Sequence, residues 1–394
     1  MYSKAFYIGF LTCLSLLFLS CSNSNDGSND DLKEESEFVI TDKDCNQIVN
    51  IPDANFKAKL LSAKGSMEDH VASNLEGSVT KVDTNGDGII QVCEAENISE
   101  LTVDKLDITS MEGLFYFRNL KRLSCRGNKI TTLDVSSLKK LQLIYCENNN
   151  ITNLNVQGLN NLKTLWCDRN QLTALDLSSS PLLESLYFED NKISNLNISN
   201  SNKIVQIRGS YNLLTSLTVS HLKNLNQLYI HNNLLTSLDV KDLANLNELH
   251  CSDNKMTSLN TSNCINLKEV SCNDNALIKI ELSNCGKLYS LDCDRNKLNT
   301  INLNGLTGLQ SLYISVNPLI SLDIRYCPLL NNLGINNMNN LQTLVLKNGS
   351  NLRGCNLENI PNLTSICCDV SELTEVQSQV NIYGYNCIVS TNCF

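Results

Sequence analysis

The chain is short of positive charge. Its 394 residues carry 31 Lys and Arg against 41 Asp and Glu, a net charge of -10, which excludes a protein that tracks nucleic-acid phosphates along a basic face. The apolar run at residues 6–19 is too short to span a bilayer comfortably. Although there are 18 cysteines, there is no C-x-x-C pair, so zinc spacings are absent. His231 and His250 lie close in the pattern below but have no third ligand at metal spacing. No Ser, Cys or carboxylate stands beside a base in a pattern that supports catalysis, and no enzyme activity is expected. Pro (5), Phe (9) and Trp (1) are scarce, while Leu and Asn abound. A chain this long needs several cores or one core extended by repetition.

Repetition is what the sequence supplies. Leu or Ile recurs at 120, 141, 162, 183, 204, 225, 246, 267, 288, 309 and 330, ten successive intervals of 21 residues. One unit reads Leu162, Leu165, Cys167, Asn170, Leu172, Leu175 and Leu177 at positions 1, 4, 6, 9, 11, 14 and 16. Apolar positions 4 and 6 alternate with polar neighbours, which predicts a short strand with one buried face. Stacked units then form a parallel sheet, because no unit can bury its own apolar stripe.

Position 9 is Asn at 128, 149, 170, 191, 212, 233, 254, 275, 296 and 317. The chain leaves the sheet there, and a buried amide can satisfy the stranded backbone groups. Cys125, Cys146, Cys167, Cys251, Cys272 and Cys293 fill position 6, where other units place Phe188, Ile230, Ile314 or Ile335. Cys264, Cys285 and Cys327 fill a second column shared with Leu138, Leu222, Leu243 and Leu306. Exchange with large apolar residues marks these thiols as buried fillers. Disulfide candidates lie outside the ladder: Cys45 with Cys93, and Cys387 or Cys393 with Cys355, Cys367 or Cys368.

A 21-residue repeat with cysteine inside the strand resembles the internalin-J-type leucine-rich repeats and many surface lipoproteins of Bacteroidetes, over about residues 99–370. The resemblance implies a curved solenoid with a parallel β-sheet on its concave face, a mostly extended or turn-like convex side and a small helical N-terminal cap. It implies adhesion or ligand binding and names no ligand.

Phe18, Leu19, Ser20 and Cys21 in succession resemble the lipobox of bacterial lipoproteins, with Cys21 as the lipidated residue. An ordinary cleaved signal peptide is the alternative. The polar, acidic segment that follows resembles a surface-export tag of Bacteroidetes lipoproteins, implying an outer-membrane, surface-exposed protein held by lipid alone. The expected division is leader 1–20, tether 21–37, N-terminal cap 38–98, regular repeats 99–340, and irregular repeats with a C-terminal cap 341–394. Ile51, Pro52, Asp53, Phe56, Leu60 and Leu61 predict an amphipathic cap helix with Pro52 and Asp53 in its first turn. After Leu330, leucines at 341, 352 and 363 stand 11 apart, read as a truncated unit, a 22-residue unit from Leu341 and a last strand.

Asp83, Asn85, Asp87, Gly88, Ile89 and Glu94 match a twelve-residue EF-hand loop. Side-chain oxygens at positions 1, 3, 5 and 12, with the Ile89 carbonyl at 7, suit calcium, expected here as a structural ion. A metal-free turn is the alternative.

Positions 3, 5 and 7 of each unit point out of the sheet. Position 5 reads Ser124, Tyr145, Trp166, Tyr187, Arg208, Tyr229, His250, Ser271, Asp292, Tyr313 and Gly334. Glu147, Asp168 and Glu189 stand beside the aromatics at position 7. Flat rings that the core does not need predict a recognition strip for a protein or polysaccharide. The alternative is a structural scaffold of the cell envelope with no foreign ligand. A monomer is expected.

Overall fold

The computed structural model describes residues 45–350, 352 and 355–393; Cys21, the leader and the tether lie outside them. The main sheet runs in chain order. From Ile98–Thr102 and Arg122–Ser124 through Leu143–Tyr145, Thr164–Trp166, Ser185–Tyr187, Gln206–Arg208, Gln227–Tyr229 and Glu248–His250 to Asn332–Gly334, each strand pairs in parallel with the next. Partners stand 22 residues apart in the first parallel pair and 21 apart thereafter, as in Leu165, Leu186 and Ile207. Antiparallel strands Ala72–Asn74 and Val79–Thr80 complete the N-terminal edge, giving 14 strands. From Leu143–Tyr145 to Asn332–Gly334 the central residue of each strand in this sheet faces inward and its neighbours outward. One apolar core runs the length of the stack, from Val49 to Val380.

The asparagine column closes the inner turns. Asn170 Nδ2 donates to the carbonyls of Cys146 (3.0 Å), Cys167 (3.0 Å) and Asp168 (3.2 Å), while its Oδ1 accepts from Ile151 N (2.9 Å). The same four contacts recur at Asn233. The position-6 cysteines are buried free thiols one residue past the strand end, not inside the strand as the sequence pattern suggested. Cys167 donates its thiol to the Tyr187 carbonyl (3.4 Å), and burial pushes such thiols up, that of Cys251 to about 12, so they pack rather than react.

The convex side is more regular than a run of turns. Short parallel strands form a second layer: Thr132–Asp134 with Asn153–Asn155, Ala174–Asp176 with Asn195–Asn197, and Ser237–Asp239 with Ser258–Asn260 and Lys279–Glu281. This second strand arises because each repeat carries the L-x-x-L-x-apolar pattern twice. It also corrects the reading of the C-terminal end. Ser321–Asp323, Thr343–Val345 and Ser365–Cys367 pair at offsets of 22 in the second layer, and Gly334 bridges Asn356 at the same offset in the first. Among the described residues no unit is truncated; Leu341 and Leu363 open half-repeats of two longer turns. A spacing of 11 cannot say which layer a leucine serves.

Position 8 holds a left-handed backbone in every regular unit, with φ of 58° at Asn148, 52° at Arg169 and 56° at both Tyr211 and Val316. Asn tolerates this conformation and a β-branched residue does not. Val316→Asn is therefore expected to stabilise the protein by about 1 kcal/mol, read as a higher urea midpoint at constant m-value; an unchanged midpoint would contradict strain there.

The caps tie the ends down. Helix α1 (Ala54–Ser62) has Asp53 as its N-cap, one residue outside the first turn. The Asp53 carboxylate accepts from Phe56 N (2.9 Å) and from Thr109 N and Oγ1 (both 2.8 Å), stapling helix to first repeat. Cys45 pairs with Cys93. At the far end Cys367 pairs with Cys393, and helix α3 (Leu373–Tyr383), which follows the short helix α2 (Val92–Glu96), covers the core with Val376 and Val380.

Candidate functional site

The parallel register stacks position 5 of successive units, so the predicted strip is continuous from Tyr145 to His250. Trp166 lies flat against Tyr187, with planes 2° apart and centroids 4.9 Å apart, and meets Tyr145 edge-on at 5.0 Å. Tyr229 and His250 stack at 4.7 Å. Between the two stacks the Arg208 guanidinium lies 5.2 Å from the Tyr187 ring centroid and 4.9 Å from that of Tyr229. Six consecutive strands thus carry one unbroken ladder of flat groups. Ser124, at position 5 of the preceding unit, is buried and donates to Asp104 (2.7 Å), so it takes no part.

The acidic column runs alongside. Arg126 Nε pairs with Glu147 Oε1 at 3.0 Å while its guanidinium covers Tyr145 at 4.5 Å. Asp168 Oδ1 accepts from Glu189 N at 2.8 Å. Burial first, then the charges of Glu189 and Glu147, push the Asp168 carboxyl up to about 7. Burial also raises Glu147 and Glu189, more than Arg126 and Arg208 lower them. Because Asp168 keeps its proton longer folded than unfolded, its contribution to stability is full below about pH 4 and lost as pH rises through about 7. Asp168→Asn is expected to flatten the fall in urea midpoint between pH 4 and pH 8. Parallel profiles for the two proteins would refute this.

Two features escaped the sequence pattern. Position 3 ties into the position-5 ladder: Tyr187 Oη donates to Gln206 Oε1 (2.5 Å), Gln206 Nε2 to Gln227 Oε1 (2.6 Å), and Tyr229 Oη to Glu248. The alternation that exposed position 5 exposes position 3 equally, so the signal was present. The second is a contact between Ser210 Oγ and His231 Nδ1 at 2.9 Å. Burial, then the neighbouring His250, lowers the His231 pKa. Ser210 has no exposed surface, which leaves its hydroxyl out of reach of a substrate.

In the acidic loop of the N-terminal cap the loop's own amides occupy the predicted side-chain oxygens. Asp83 Oδ1 and Oδ2 accept from Gly86 N (2.7 Å) and Gly88 N (2.9 Å), and Asp87 Oδ1 from Ile89 N (2.8 Å). Asn85 Oδ1 accepts from Asp87 N (2.9 Å). Glu94 is buried and accepts from Thr84 N, Asn85 N and Gln91 N, closing a capping box on α2. Gly88 takes φ 80°, as the sharp turn requires. Among the described residues no three His, Cys, Asp or Glu side chains form a cluster that could hold a metal ion. The donor set is chemically right for calcium, and each Asp83 oxygen accepts a single amide, leaving further acceptor capacity.

No family model matches the chain, and no curated protein matches it. Solved structures do. An internalin of Listeria monocytogenes (inlF) is 21% identical over 89% of this chain and 98% of its own, with a TM-score of 0.58. YopM of Yersinia pestis, a leucine-rich effector protein, is 19% identical over 79% of this chain and 88% of its own, at 0.50. A leucine-rich repeat protein of Bacteroides thetaiotaomicron is 17% identical over 75% of this chain and 42% of its own, at 0.52. These likenesses establish the fold as a leucine-rich-repeat solenoid.

Proposed function

We propose that this protein is a non-catalytic recognition module of the bacterial cell envelope, held by lipid on Cys21, that binds a protein through its concave strip. The observation that carries the reading is the ladder of Tyr145, Trp166, Tyr187, Arg208, Tyr229 and His250 on the outward face of the sheet. The core does not need these groups, and rigid rings ordered by one another lose little entropy on binding. Between the two ligand classes, ring orientation favours protein. Sugars stack on exposed ring faces, and here neighbours already cover faces of Trp166, Tyr187, Tyr229 and His250. What remains outward is ring edges with Glu147, Asp168 and Glu189 beside them, a surface suited to mixed protein contacts.

The test compares the wild type with the triple variant Tyr145→Ala, Trp166→Ala, Tyr187→Ala on protein and glycan arrays. Protein hits that vanish in the triple variant, with an unchanged melting midpoint, support the reading. Glycan-only hits, or hits indifferent to the triple variant, overturn it. Localisation is separable: proteinase should shave the protein from intact cells, and protection would remove the surface placement. For the cap, we propose that Asp83, Asn85, Asp87, Ile89 and Glu94 hold a structural calcium ion, which would exchange amide contacts for the ion. The melting midpoint is expected to rise by several degrees in millimolar calcium over chelator. No shift would leave the amide network as the loop's sole closure.

A further inference from the structure

We propose that Arg208 is the anchor of the strip and that it takes a carboxylate, supplied by an acidic side chain of a protein partner. The inference rests on the reading of the strip as a protein-binding face. Arg208 is singular in its surroundings. Its guanidinium is fixed between the Tyr187 and Tyr229 rings, yet its buried Nε has no hydrogen-bond partner. Arg208 belongs to none of the ion pairs found among the described residues. Glu189 and Glu248 are near enough to feel its charge without pairing with it, and Glu248 already accepts from Tyr229.

A guanidinium cannot lose its proton and carries a planar fork that matches a carboxylate. Held between two rings, it has given up its rotamer freedom before the ligand arrives. The neighbouring tyrosine hydroxyls are turned to Gln206 and Glu248, so they do not compete for an incoming acceptor. Trp166 Nε1, on the same ladder, is a second buried donor without an acceptor. The partly exposed Arg208 guanidinium is thus an unpaired positive charge on the strip, and an anionic group of a ligand would pair with it. The acidic column does not reverse this. Glu147 pairs with Arg126 through Oε1 while its buried Oε2 has no hydrogen-bond partner, Asp168 accepts from a backbone amide, and burial favours the neutral form of all three acids.

The experiment selects phage-displayed random dodecapeptides on the full chain and keeps those whose binding is lost in Trp166→Ala. Asp or Glu should be enriched at one position. A synthetic peptide of that sequence should bind Arg208→Gln about 30-fold more weakly than wild type, and its Kd should rise with salt. Arg208→Lys, with the charge but not the fork, should recover only part of the loss. Unchanged melting of these variants shows that the fold is intact. Strip-binding peptides without acidic enrichment, or enriched in Lys and Arg, would overturn the inference and leave the protein-binding reading standing. If no peptide binds through the strip, that reading falls and the inference falls with it.

Discussion

Gly209→Ala is expected to destabilise the protein by about 3 kcal/mol, a large effect for one methyl group. Gly209 occupies position 6, where its neighbours in the column are Phe188 and Ile230 and other units place cysteine or isoleucine. A Cβ built on it would stand 2.1 Å from Cζ at the tip of the ring of Phe188, the position-6 residue of the preceding unit. Phe188 is completely buried, so the ring has nowhere to swing. The two residues are one packing decision: a large side chain on one rung takes the room of the next. Phe188→Cys alone should cost a similar amount by leaving a cavity. The double variant Phe188→Cys, Gly209→Cys rebuilds the rung seen at Cys146 and Cys167 and should return to within about 1 kcal/mol of wild type. Urea unfolding of wild type, Phe188→Cys, Gly209→Cys and the double variant gives the cycle. Additive losses would contradict the account.

Asn170→Asp should be the other severe lesion, about 4 kcal/mol at pH 7 against about 3 for Asn170→Ala. The Asn170 amide faces three carbonyls with its donors. A carboxylate of the same shape would set acceptor against acceptor in a buried site, whereas alanine merely leaves the carbonyls unpaired. Burial would raise the folded pKa of that carboxyl above its unfolded value. Stability would then be recovered as pH falls and lost as it rises through the folded pKa. The gap between Asn170→Asp and Asn170→Ala should therefore narrow from pH 7 to pH 5. An aspartate variant no worse than alanine at pH 7 would contradict the donor role.

Much of this was legible in the sequence because the fold is nearly one-dimensional. Residues 21 apart are neighbours, so the alternation of Leu165, Trp166 and Cys167 told inward from outward and placed the strip. The asparagine column followed from the same count. What stayed hidden depends on comparing rungs in space. Phe188 and Gly209 look like two exceptions until their volumes are seen to share one site. Val316 takes its left-handed backbone from the shape of the turn, against its own preference. The convex strands were hidden by the doubled leucine pattern, which equally made the spacing of 11 near the C-terminus ambiguous. The EF-hand-like loop showed its oxygens in the sequence; that Asp83 and Glu94 spend them on backbone amides depends on the fold of the turn. Arg208 was placed by its column, but its isolation between two tyrosines rests on ring orientations that no spacing encodes.

The central claim is that the partner sits on the face of the long sheet, and site-specific photo-crosslinking measures that directly. Benzoylphenylalanine would replace Ser185, beside Tyr187 on the outward face of the sheet, or Ala174, exposed on the convex strand Ala174–Asp176. Mixed with a protein hit from the arrays, the Ser185 probe should capture it, the Ala174 probe should not, and alanine at Tyr145, Trp166 and Tyr187 should abolish capture. Capture from Ala174 but not from Ser185 would put the partner on the convex side and contradict the account.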